Sequence, residues 1–544
     1  DPPRDEPQRD RRALLGDLIV GAFFAHESRR ARQRELVARL RAFEQASTMG
    51  SSVAHAALAS WQREIRDAVP VHHWPLAFPC DADRGLDGLM HAFVGNPPFV
   101  DGKRVSSVLG HRYSDWITTV HACRKTADLS GHFVRRCFEL LRASATLGMI
   151  ATNSVSEGET RRVGLAHVVA HGGVLYDATR SMPWPGDAAV HVALLHCARG
   201  AAAAHTGAPV LDGREVERIR TSLTAGAERA EPKRLSSNVA LSFHGYKPYG
   251  DGFQIGAAER DELVRRDPRN AERLRPYAGG TELNRNPELT TDRWVIHFGD
   301  LSLDEARRWP DLLRILEERV RPARSSADDG TDDGRRLRTF WWQFFRERPE
   351  MQRALRGFDT CLALARVSKH VVVQTPPADW VLDEDVIVFA LSGWSPFAVL
   401  QSRFHETWAR AHSSTFGEGL RYSSSRVFDT FPFPEPDPRA TSPALEPLGR
   451  DLHEMRLSYQ RAARAGATTT YNRMHDPACD DARIAALREA HEALDRGVAR
   501  AYGLDCVVPP FRACDAASRA AARAFTERVL DHLHALNAER SGAR

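Results

Sequence analysis

The chain has 544 residues, of which 42% are hydrophobic and 27% are charged, so it is long enough for several domains and too apolar to be disordered throughout. Its formal net charge of +4 is mildly basic, which is compatible with a nucleic-acid partner but does not require one. No apolar run reaches the roughly 18 residues that a membrane span needs. The first residues are polar and mixed in charge, unlike a signal peptide.

Eight cysteines are scattered along the chain, and none forms a C-x-x-C pair. The sequence therefore predicts neither a zinc site nor a redox dithiol, and the scattered thiols indicate a reducing, cytoplasmic setting. The segment His72-His73-Trp74 raises the question of a metal. No acidic or cysteine partner stands at ligand spacing, so no metal site is predicted.

The first 200 residues predict helices followed by an α/β sheet. Helical spacing of apolar residues predicts helices over 12–46 and 53–68, and an apolar run at 88–95 predicts a buried strand that ends in a loop. The expected elements after it are a helix, a strand, a helix and two strands, at 131–143, 146–155, 161–171, 173–181 and 188–197. Such alternation is typical of an α/β sheet covered on both faces.

After Gly200 the pattern becomes irregular, with long loops between short strand candidates at 293–299, 370–375 and 385–391. A proline-punctuated stretch at 431–443 indicates a boundary, and helical periodicity then predicts helices at 444–465, 481–501 and 515–538. We therefore expect a helical segment, an α/β half-domain, a mixed α+β domain and a helical C-terminal module. Their expected bounds are 1–87, 88–200, 201–440 and 441–544.

The chemistry is indicated by Asn96-Pro97-Pro98-Phe99, directly after the strand that ends at Val94-Gly95. Prolines stiffen a loop and leave its carbonyl groups free, Asn96 adds a side-chain acceptor, and Phe99 adds an aromatic face. Two acceptors and one ring suit a planar group with an exocyclic amine, such as a base extruded from a duplex. The alternative is an ordinary strand-to-loop turn, since Asn-Pro and Pro-Pro are common turn dipeptides.

These four residues resemble motif IV of the γ-type N6-adenine DNA methyltransferases. The surroundings are similar to the large single-chain methylases of type IIL/IIG restriction–modification and phage-defence systems, over nearly the whole chain and in the family's order. The similar stretches include 17–35, 72–79, 94–110, 125–142, 148–165, 178–195, 243–253, 293–310, 365–370, 420–434 and 470–477. The resemblance implies half of a class I methyltransferase Rossmann-like sheet, a DNA-binding target-recognition domain and a helical module.

The resemblance also implies residue roles. Asn96 and the Pro97 carbonyl would accept hydrogen bonds from the N6 amine of a flipped adenine, and Phe99 would stack on its ring. Asp128-Leu129 matches the motif V region, which lines the pocket near the donor, S-adenosylmethionine. The implied reaction is direct attack of the amine on the donor's methyl group, in restriction–modification or phage defence, without a metal.

The resemblance implies that the recognition domain binds double-stranded DNA. It assigns the reading of bases to four charged residues of that domain, Arg366, Lys369, Glu418 and Arg421. Lys247 is a candidate phosphate contact. A solvated surface charge is the alternative for each of them. The aromatic run 340–345 favours a packed core stripe over a stacking surface.

The sequence departs from the family in one respect, because no glycine-rich donor loop or acidic ribose-binding residue precedes Asn96. Phe416-Gly417-Glu418-Gly419 superficially resembles such a loop, but a helical pattern precedes it where a strand is required. Three explanations remain open: an excerpt of a longer chain, a split enzyme whose partner chain supplies the donor-binding half, or a catalytically silent methylase-like subunit that recognises DNA for a defence complex.

Overall fold

A computed structural model describes residues 6–77, 90–184, 191–416 and 419–542. The chain forms two compact units, Asp1–Glu228 and Arg229–Arg544. Within the described ranges, no helix has both the length and the apolar character that crossing a membrane requires. The expected mixture of sheets and many helices is confirmed.

The first unit combines a helical start with one large sheet. Its helices are α1 (Glu6–Ala25), α2 (Arg29–Met49), α3 (Ser52–Ala68), α4 (Trp74–Ala77), α5 (Gly102–Leu109), α6 (His111–Val120), α7 (Leu129–Glu139), α8 (Gly158–Val163) and α9 (Leu165–Ala170). Its strands are β1 (Met90–Gly95), β2 (Leu141–Thr152), β3 (Gly173–Pro183), β4 (His191–Arg199), β5 (Val210–Leu211) and β6 (Arg214–Glu215).

Two helices that the sequence predicts as single are each divided. The segment 12–46 falls into α1 and α2, because the Ser28 side chain accepts a hydrogen bond from the Ala31 amide at 3.2 Å and starts a new helix. The segment 161–171 falls into α8 and α9 at Gly164, where an added Cβ would lie 3.2 Å from the backbone of Gly131. Close backbone packing therefore bends the chain at this glycine.

Asp17 on α1 connects the helical start of the chain. This buried carboxylate accepts hydrogen bonds from Gln62 at 2.8 Å, Arg66 at 2.9 Å and His73 at 2.9 Å. The bonds join α1 to α3 and to the segment before α4. His73 is thus engaged by a carboxylate, and no group of three or more potential metal ligands occurs in the part of the chain that the structure describes.

The sheet of the first unit has the strand order β1-β2-β4-β3-β5-β6. β1 and β2 are parallel and are linked through α5, α6 and α7, whereas β4 is antiparallel to both β2 and β3. Because β1 and β2 run in the same direction, the loops after them leave the same edge of the sheet. β1 itself ends the strand order, and it pairs with β2 alone among the described strands.

Residues 201–228 pack with the first unit, although the sequence analysis groups them with the next domain. β5 adds to β3 in parallel, and Leu211, Ile219 and Leu223 join the core of the sheet. The compact unit therefore ends at Glu228 rather than at Gly200. The short strands of this tail carry too little periodicity to show from the sequence where they pack.

The second unit contains three small sheets and many helices. Its helices are α10 (Ala257–Arg266), α11 (Gly280–Arg285), α12 (Leu303–Ala306), α13 (Pro310–Arg319), α14 (Arg321–Ser325), α15 (Asp332–Thr339), α16 (Pro349–Ala354), α17 (Trp394–Gln401), α18 (Arg403–His412), α19 (Glu446–Ala463), α20 (Ala467–His475), α21 (Ala482–Ala501) and α22 (Ala516–Gly542). Its strands are β7 (Ser242–His244), β8 (Gln254–Gly256), β9 (Leu274–Ala278), β10 (Arg293–Ile296), β11 (Leu362–Ala365), β12 (Val367–Ser368), β13 (Val381–Leu382), β14 (Val386–Phe389), β15 (Ser414–Phe416) and β16 (Gly419–Arg421).

The sheets of the second unit have the orders β13-β9-β10-β8, β11-β14-β7 and β12-β16-β15. Two apolar cores hold them. One contains residues of β14 together with residues of α17, α19, α21 and α22, so the C-terminal helices share a core with the mixed domain. The other surrounds β9, β10 and α13.

The strand predicted at 370–375 is not formed, and this correction has a clear cause. The segment is buried, but distant side chains satisfy much of its backbone. The Val373 amide donates to Gln401 Oε1 at 2.8 Å, and the Val373 carbonyl accepts from the buried Arg456 guanidinium at 2.7 Å. Apolar β-branched sequence therefore indicates burial here, while the hydrogen-bond partners prevent a regular ladder.

Candidate functional site

The loop after β1 presents the predicted motif at the carboxyl end of the sheet. Asn96, Pro98 and Phe99 are exposed, and Pro97 is buried. Among the described residues, no group donates a hydrogen bond to the Asn96 side chain or to the Pro97 carbonyl. Two acceptors and one aromatic ring are therefore available to an external group on the same loop.

Contacts with the start of α7 fix this loop. The Leu129 amide donates to the Val100 carbonyl at 3.0 Å, and Asp101 caps α5 by accepting from the Lys103 amide at 2.8 Å. Gly102 packs closely against the backbone of the loop before α7, since an added Cβ would lie 2.5 Å from the Ala127 carbonyl oxygen. The motif is therefore held by backbone contacts and not only by the stiffness of its prolines.

A pocket of about 700 Å³ opens beside the motif, and Asn96, Pro97 and Pro98 form part of its wall. The rest of the lining is mainly apolar and aromatic. It includes Phe24, Trp74, Phe93, Tyr113, Trp116 and Phe133. No described carboxylate lines this pocket, and Arg136 is the one formally charged residue among its described lining residues. Such a lining suits a planar, uncharged ring system.

Two stacked histidines lie in the wall of the same pocket. His121 Nδ1 and His132 Nδ1 are 2.6 Å apart, and the rings are 4.9 Å apart between centroids. Burial lowers the pKa of each imidazole to about 4, so both are neutral at pH 7. Burial also raises the pKa of the nearby Cys137 thiol to about 11, which keeps it protonated. These three side chains thus offer neither a thiolate nor a histidine cation.

Asp128 and Leu129 occupy different positions. Leu129 lines the pocket, whereas Asp128 is buried and caps α7 by accepting from the Ser130 amide at 2.9 Å. The other Asp128 carboxylate oxygen accepts from Thr152 at 3.3 Å and from Ser154 at 3.2 Å. Through its two oxygens, the Asp128 carboxylate therefore joins the start of α7 to the end of β2.

Three of the predicted base-reading residues lie on or beside one small sheet of the second unit. Arg421 ends β16, directly opposite Val367 of β12, and Arg366 and Lys369 flank β12. The Arg366 carbonyl accepts from the Tyr422 amide at 2.8 Å, so the two arginines lie on adjacent segments. None of the three cations has a carboxylate within 4.0 Å among the described residues, and Glu418 lies outside those residues.

Lys247 is partly exposed at the start of the 247–250 loop. Its ammonium group lies 2.9 Å from Glu384 and 5.7 Å from the centre of the Tyr249 ring. Within the aromatic run, Trp341, Trp342, Phe344 and Phe345 are buried, in agreement with the core interpretation, while Phe340 is 39% exposed.

The residues before and after 417–418 form two antiparallel strands, β15 and β16. β15 pairs with β16 so that Phe416 lies opposite Gly419. The helix expected before this segment ends at His412, and the short strand β15 follows it, so a strand does precede Gly417. A donor loop requires a strand that leads into a helix, whereas the element after β15 is the strand β16.

Comparison with known proteins identifies the second unit's recognition region. Residues 229–435 match the family described as "MmeI, target recognition domain". DNA methyltransferase A of Bacillus subtilis (strain 168) is 22% identical over 424 residues, which are 75% of this chain and 45% of that protein.

Together with a solved structure, these matches make the chain similar to the type II restriction–modification methylases.

The solved structure of the type IIL restriction–modification enzyme MmeI in complex with DNA matches this chain with a TM-score of 0.58 and 18% identity. The match covers 81% of this chain and 57% of that one, and it supports a shared fold. A further match, to the type IIG restriction endonuclease BpuSI, has a TM-score of 0.24, too low to bear on the fold. The chain thus spans about half the length of the relatives it matches.

The sequence did not reveal three residues that the structure places beside the candidate sites. His121 and His132 are separated in sequence and meet only through the packing of α6 against α7. Arg348 lies in a charged stretch that reads as ordinary surface, but its side chain approaches the segment beside Arg366. A local pattern carries no signal for either contact.

Proposed function

We propose that the chain is the catalytic-core and DNA-recognition portion of an enzyme that transfers a methyl group to N6 of a flipped adenine at a specific DNA site in the cytoplasm. The observation that carries this proposal is the free pair of acceptors, Asn96 Oδ1 and Pro97 O, beside an exposed Phe99 at the carboxyl end of β1. An adjoining, mainly apolar pocket supports it.

The residues of this chain act on the amine of the target base. The lone pair of an aromatic amine is delocalised into the ring, so the nitrogen is a weak nucleophile. Asn96 Oδ1 and Pro97 O accept its two hydrogens, turn it toward tetrahedral geometry and stabilise the positive charge that develops on it. Phe99 stacks on the ring, which is worth about 1–3 kcal/mol for a base on an aromatic side chain. The fixed loop holds these groups in place beforehand.

The methyl donor that we propose is S-adenosylmethionine, which supplies an electrophilic methyl group when bound. The pocket suits this molecule only in part. Leu129 offers an apolar contact, but the pocket has no described carboxylate for a ribose diol, and Asp128 is already engaged by Ser130, Thr152 and Ser154. We infer that the main donor contacts lie on polypeptide outside the described pocket.

The free edge of β1 indicates where that polypeptide belongs. β1 is an edge strand of the described sheet, and Val94 on it is 90% exposed. An open apolar edge is unfavourable in water and is normally paired or covered. We propose that a chain or segment carrying the donor-binding half extends the sheet at β1, which would make the six-stranded sheet half of a class I methyltransferase sheet.

This part of the proposal is tested by calorimetric titration of the 544-residue chain with S-adenosylmethionine, alone and with the candidate donor half added. We expect weak or no binding to the chain alone and binding when the half is present. Tight, stoichiometric binding to the chain alone would mean that it holds a complete donor site.

The activity itself is tested by incubating the complete enzyme with duplex DNA and labelled donor, followed by hydrolysis of the DNA and identification of the modified base. N6-methyladenine at one sequence context supports the proposal. Methylcytosine would refute the adenine assignment. Specific DNA binding without any transfer would favour the rival function, a silent recognition subunit, for which the separate recognition unit is sufficient.

A further inference from the structure

The second unit contains a third arginine, Arg348, beside Arg366 and Arg421, the two that the sequence singles out. Arg348 begins α16 as its N-cap, with left-handed backbone angles of φ 53° and ψ 52°. Its Nε donates to the Gly245 carbonyl at 2.9 Å, which fixes the side chain against the end of β7. Gly245 in turn has no room for a Cβ, which would lie 2.1 Å from the Asp383 carbonyl oxygen.

Arg348, Arg366 and Arg421 lie around one stretch of backbone. Gly245, which Arg348 contacts, donates its amide to the Val386 carbonyl at 3.0 Å, and the Arg366 amide donates to the neighbouring Asp385 carbonyl at 2.7 Å. Arg421 lies opposite Val367, the residue after Arg366. Burial lowers the pKa of the Arg366 guanidinium, and repulsion from Arg421 lowers it further. Burial is also the main cause of the lowered pKa of Arg348, to which Arg366 contributes. His244, at the end of β7, has its pKa lowered to about 4 by burial and then by Arg366, Arg348 and Arg421. One neutral imidazole therefore adjoins three guanidinium groups.

Within the described parts of the chain, these three cations are left largely without partners. No described carboxylate lies within 4.0 Å of any of them, and apart from Arg348 Nε none of their side-chain nitrogens has a described hydrogen-bond partner. Two described acids near them are otherwise occupied: Glu384 pairs with Lys247 at 2.9 Å, and Asp385 accepts from the Gly280 amide at 3.0 Å. Like charges held together and partly desolvated are unfavourable without an anion.

We propose that Arg348, Arg366 and Arg421 form a single binding site for one backbone phosphate of the DNA, with Arg348 as a contact that the sequence does not reveal. The proposal rests on the proposed DNA recognition and deepens it. Guanidinium groups present planar pairs of donors that match phosphate oxygens, and a phosphate removes the mutual repulsion of the three cations. A single guanine edge has acceptors for one arginine, so it would leave two of the three unsatisfied.

The test is a fluorescence-anisotropy titration of duplex DNA with the 544-residue chain over a range of salt concentrations. Arg348→Gln removes the charge while keeping a polar side chain of related shape. Arg356→Gln is the matched control, because Arg356 is an exposed arginine just beyond α16 without a described ion pair. Arg348→Lys keeps the charge and shows whether charge alone suffices.

We expect Arg348→Gln to weaken binding about tenfold at 0.1 M salt on all DNA sequences, and to lower the slope of log K against log salt by about one. Arg348→Lys should restore most of the slope, and Arg356→Gln should behave as the wild type. Unchanged affinity and slope for Arg348→Gln would overturn the inference. So would a loss confined to one base position, which would indicate a base contact instead.

Failure of this inference is distinguishable from failure of the proposed function. If Arg421→Gln weakens binding while Arg348→Gln does not, the three-arginine site is refuted and DNA recognition stands. If the wild-type chain does not bind DNA, the proposed function fails first. Thermal unfolding of each variant shows whether its fold is retained.

Discussion

The amide of Leu129 donates a 3.0 Å hydrogen bond to the carbonyl of Val100, and this bond joins the loop after β1 to the first turn of α7. The motif Asn96–Phe99 directly precedes Val100, so its position depends on how the loop at 126–129 packs. Gly102 is part of the same junction. The geometry of the candidate site is thus set by backbone contacts between two loops at one edge of the sheet.

The first prediction concerns this junction. In Gly102→Ala the added methyl group would meet the Ala127 carbonyl at 2.5 Å, so the motif must shift. We expect methyl transfer by the complete enzyme to fall about 100-fold, as a displacement near 1 Å does, while DNA affinity changes little. Gly256→Ala is the control, because an added Cβ there meets nothing within 4 Å. Normal transfer by Gly102→Ala would show that the loop does not depend on this packing.

The second prediction concerns the buried histidine pair. The pKa of His121 and of His132 is about 4 in the folded protein, below the ordinary value of 6.5. As pH falls, the unfolded chain takes up these protons first. The contribution of these neutral imidazoles to the free energy of unfolding is therefore complete above about pH 6.5, and it is lost as the pH falls toward 4.

We expect the free energy of unfolding of the first unit to fall between pH 7 and pH 5, and His132→Gln to reduce that fall by about 1–2 kcal/mol. Urea unfolding at both pH values measures it. His111→Gln changes an exposed histidine of α6 and should leave the fall unchanged. An identical pH dependence in His132→Gln and the wild type would contradict the assignment of neutral, buried imidazoles.

The third prediction separates two kinds of DNA contact in the second unit. Lys369→Ala should relax preference at one base position at a cost of about 1–3 kcal/mol, because a base-reading lysine discriminates by its hydrogen bonds. Lys247→Ala should weaken binding on all sequences and lower the salt slope by about one, as loss of a phosphate contact does. Methylome sequencing and salt titrations distinguish the two. If substitutions throughout the β12-β16-β15 sheet left the methylated DNA sequence unchanged, the role of this sheet in recognition would be refuted.

Strong periodicity made several elements predictable from the sequence. The helices α19, α21 and α22 occur where the pattern indicates them, because each buries an apolar face. The strand expected at 88–95 forms as β1, but its residues are partly or fully exposed rather than buried. The run at 370–375 has the same apolar character but no ladder, since Gln401 and Arg456 supply its hydrogen bonds. Such partners are distant in sequence, and no local pattern reveals them.

The same distinction applies to the sites. Asn96–Phe99 is contiguous, so its residue types alone indicate two acceptors and a ring. The three-arginine group is assembled from the start of α16, the end of β11 and the end of β16. Arg348 approaches the others because Gly245 allows β7 to lie against the backbone at 382–383. That contact is a property of the fold. The sequence contains many arginines, and nothing in its local pattern distinguishes Arg348 from the others.

The central claim is tested most directly by Asn96→Ala in the complete enzyme, with methyl transfer and DNA binding measured side by side on the same duplex. Loss of one acceptor for the amine should lower transfer about 100-fold or more, because that acceptor stabilises charge that develops only during the reaction. DNA affinity should stay close to that of the wild type, since phosphate contacts elsewhere dominate it. Transfer at a near-normal rate by Asn96→Ala would contradict the account.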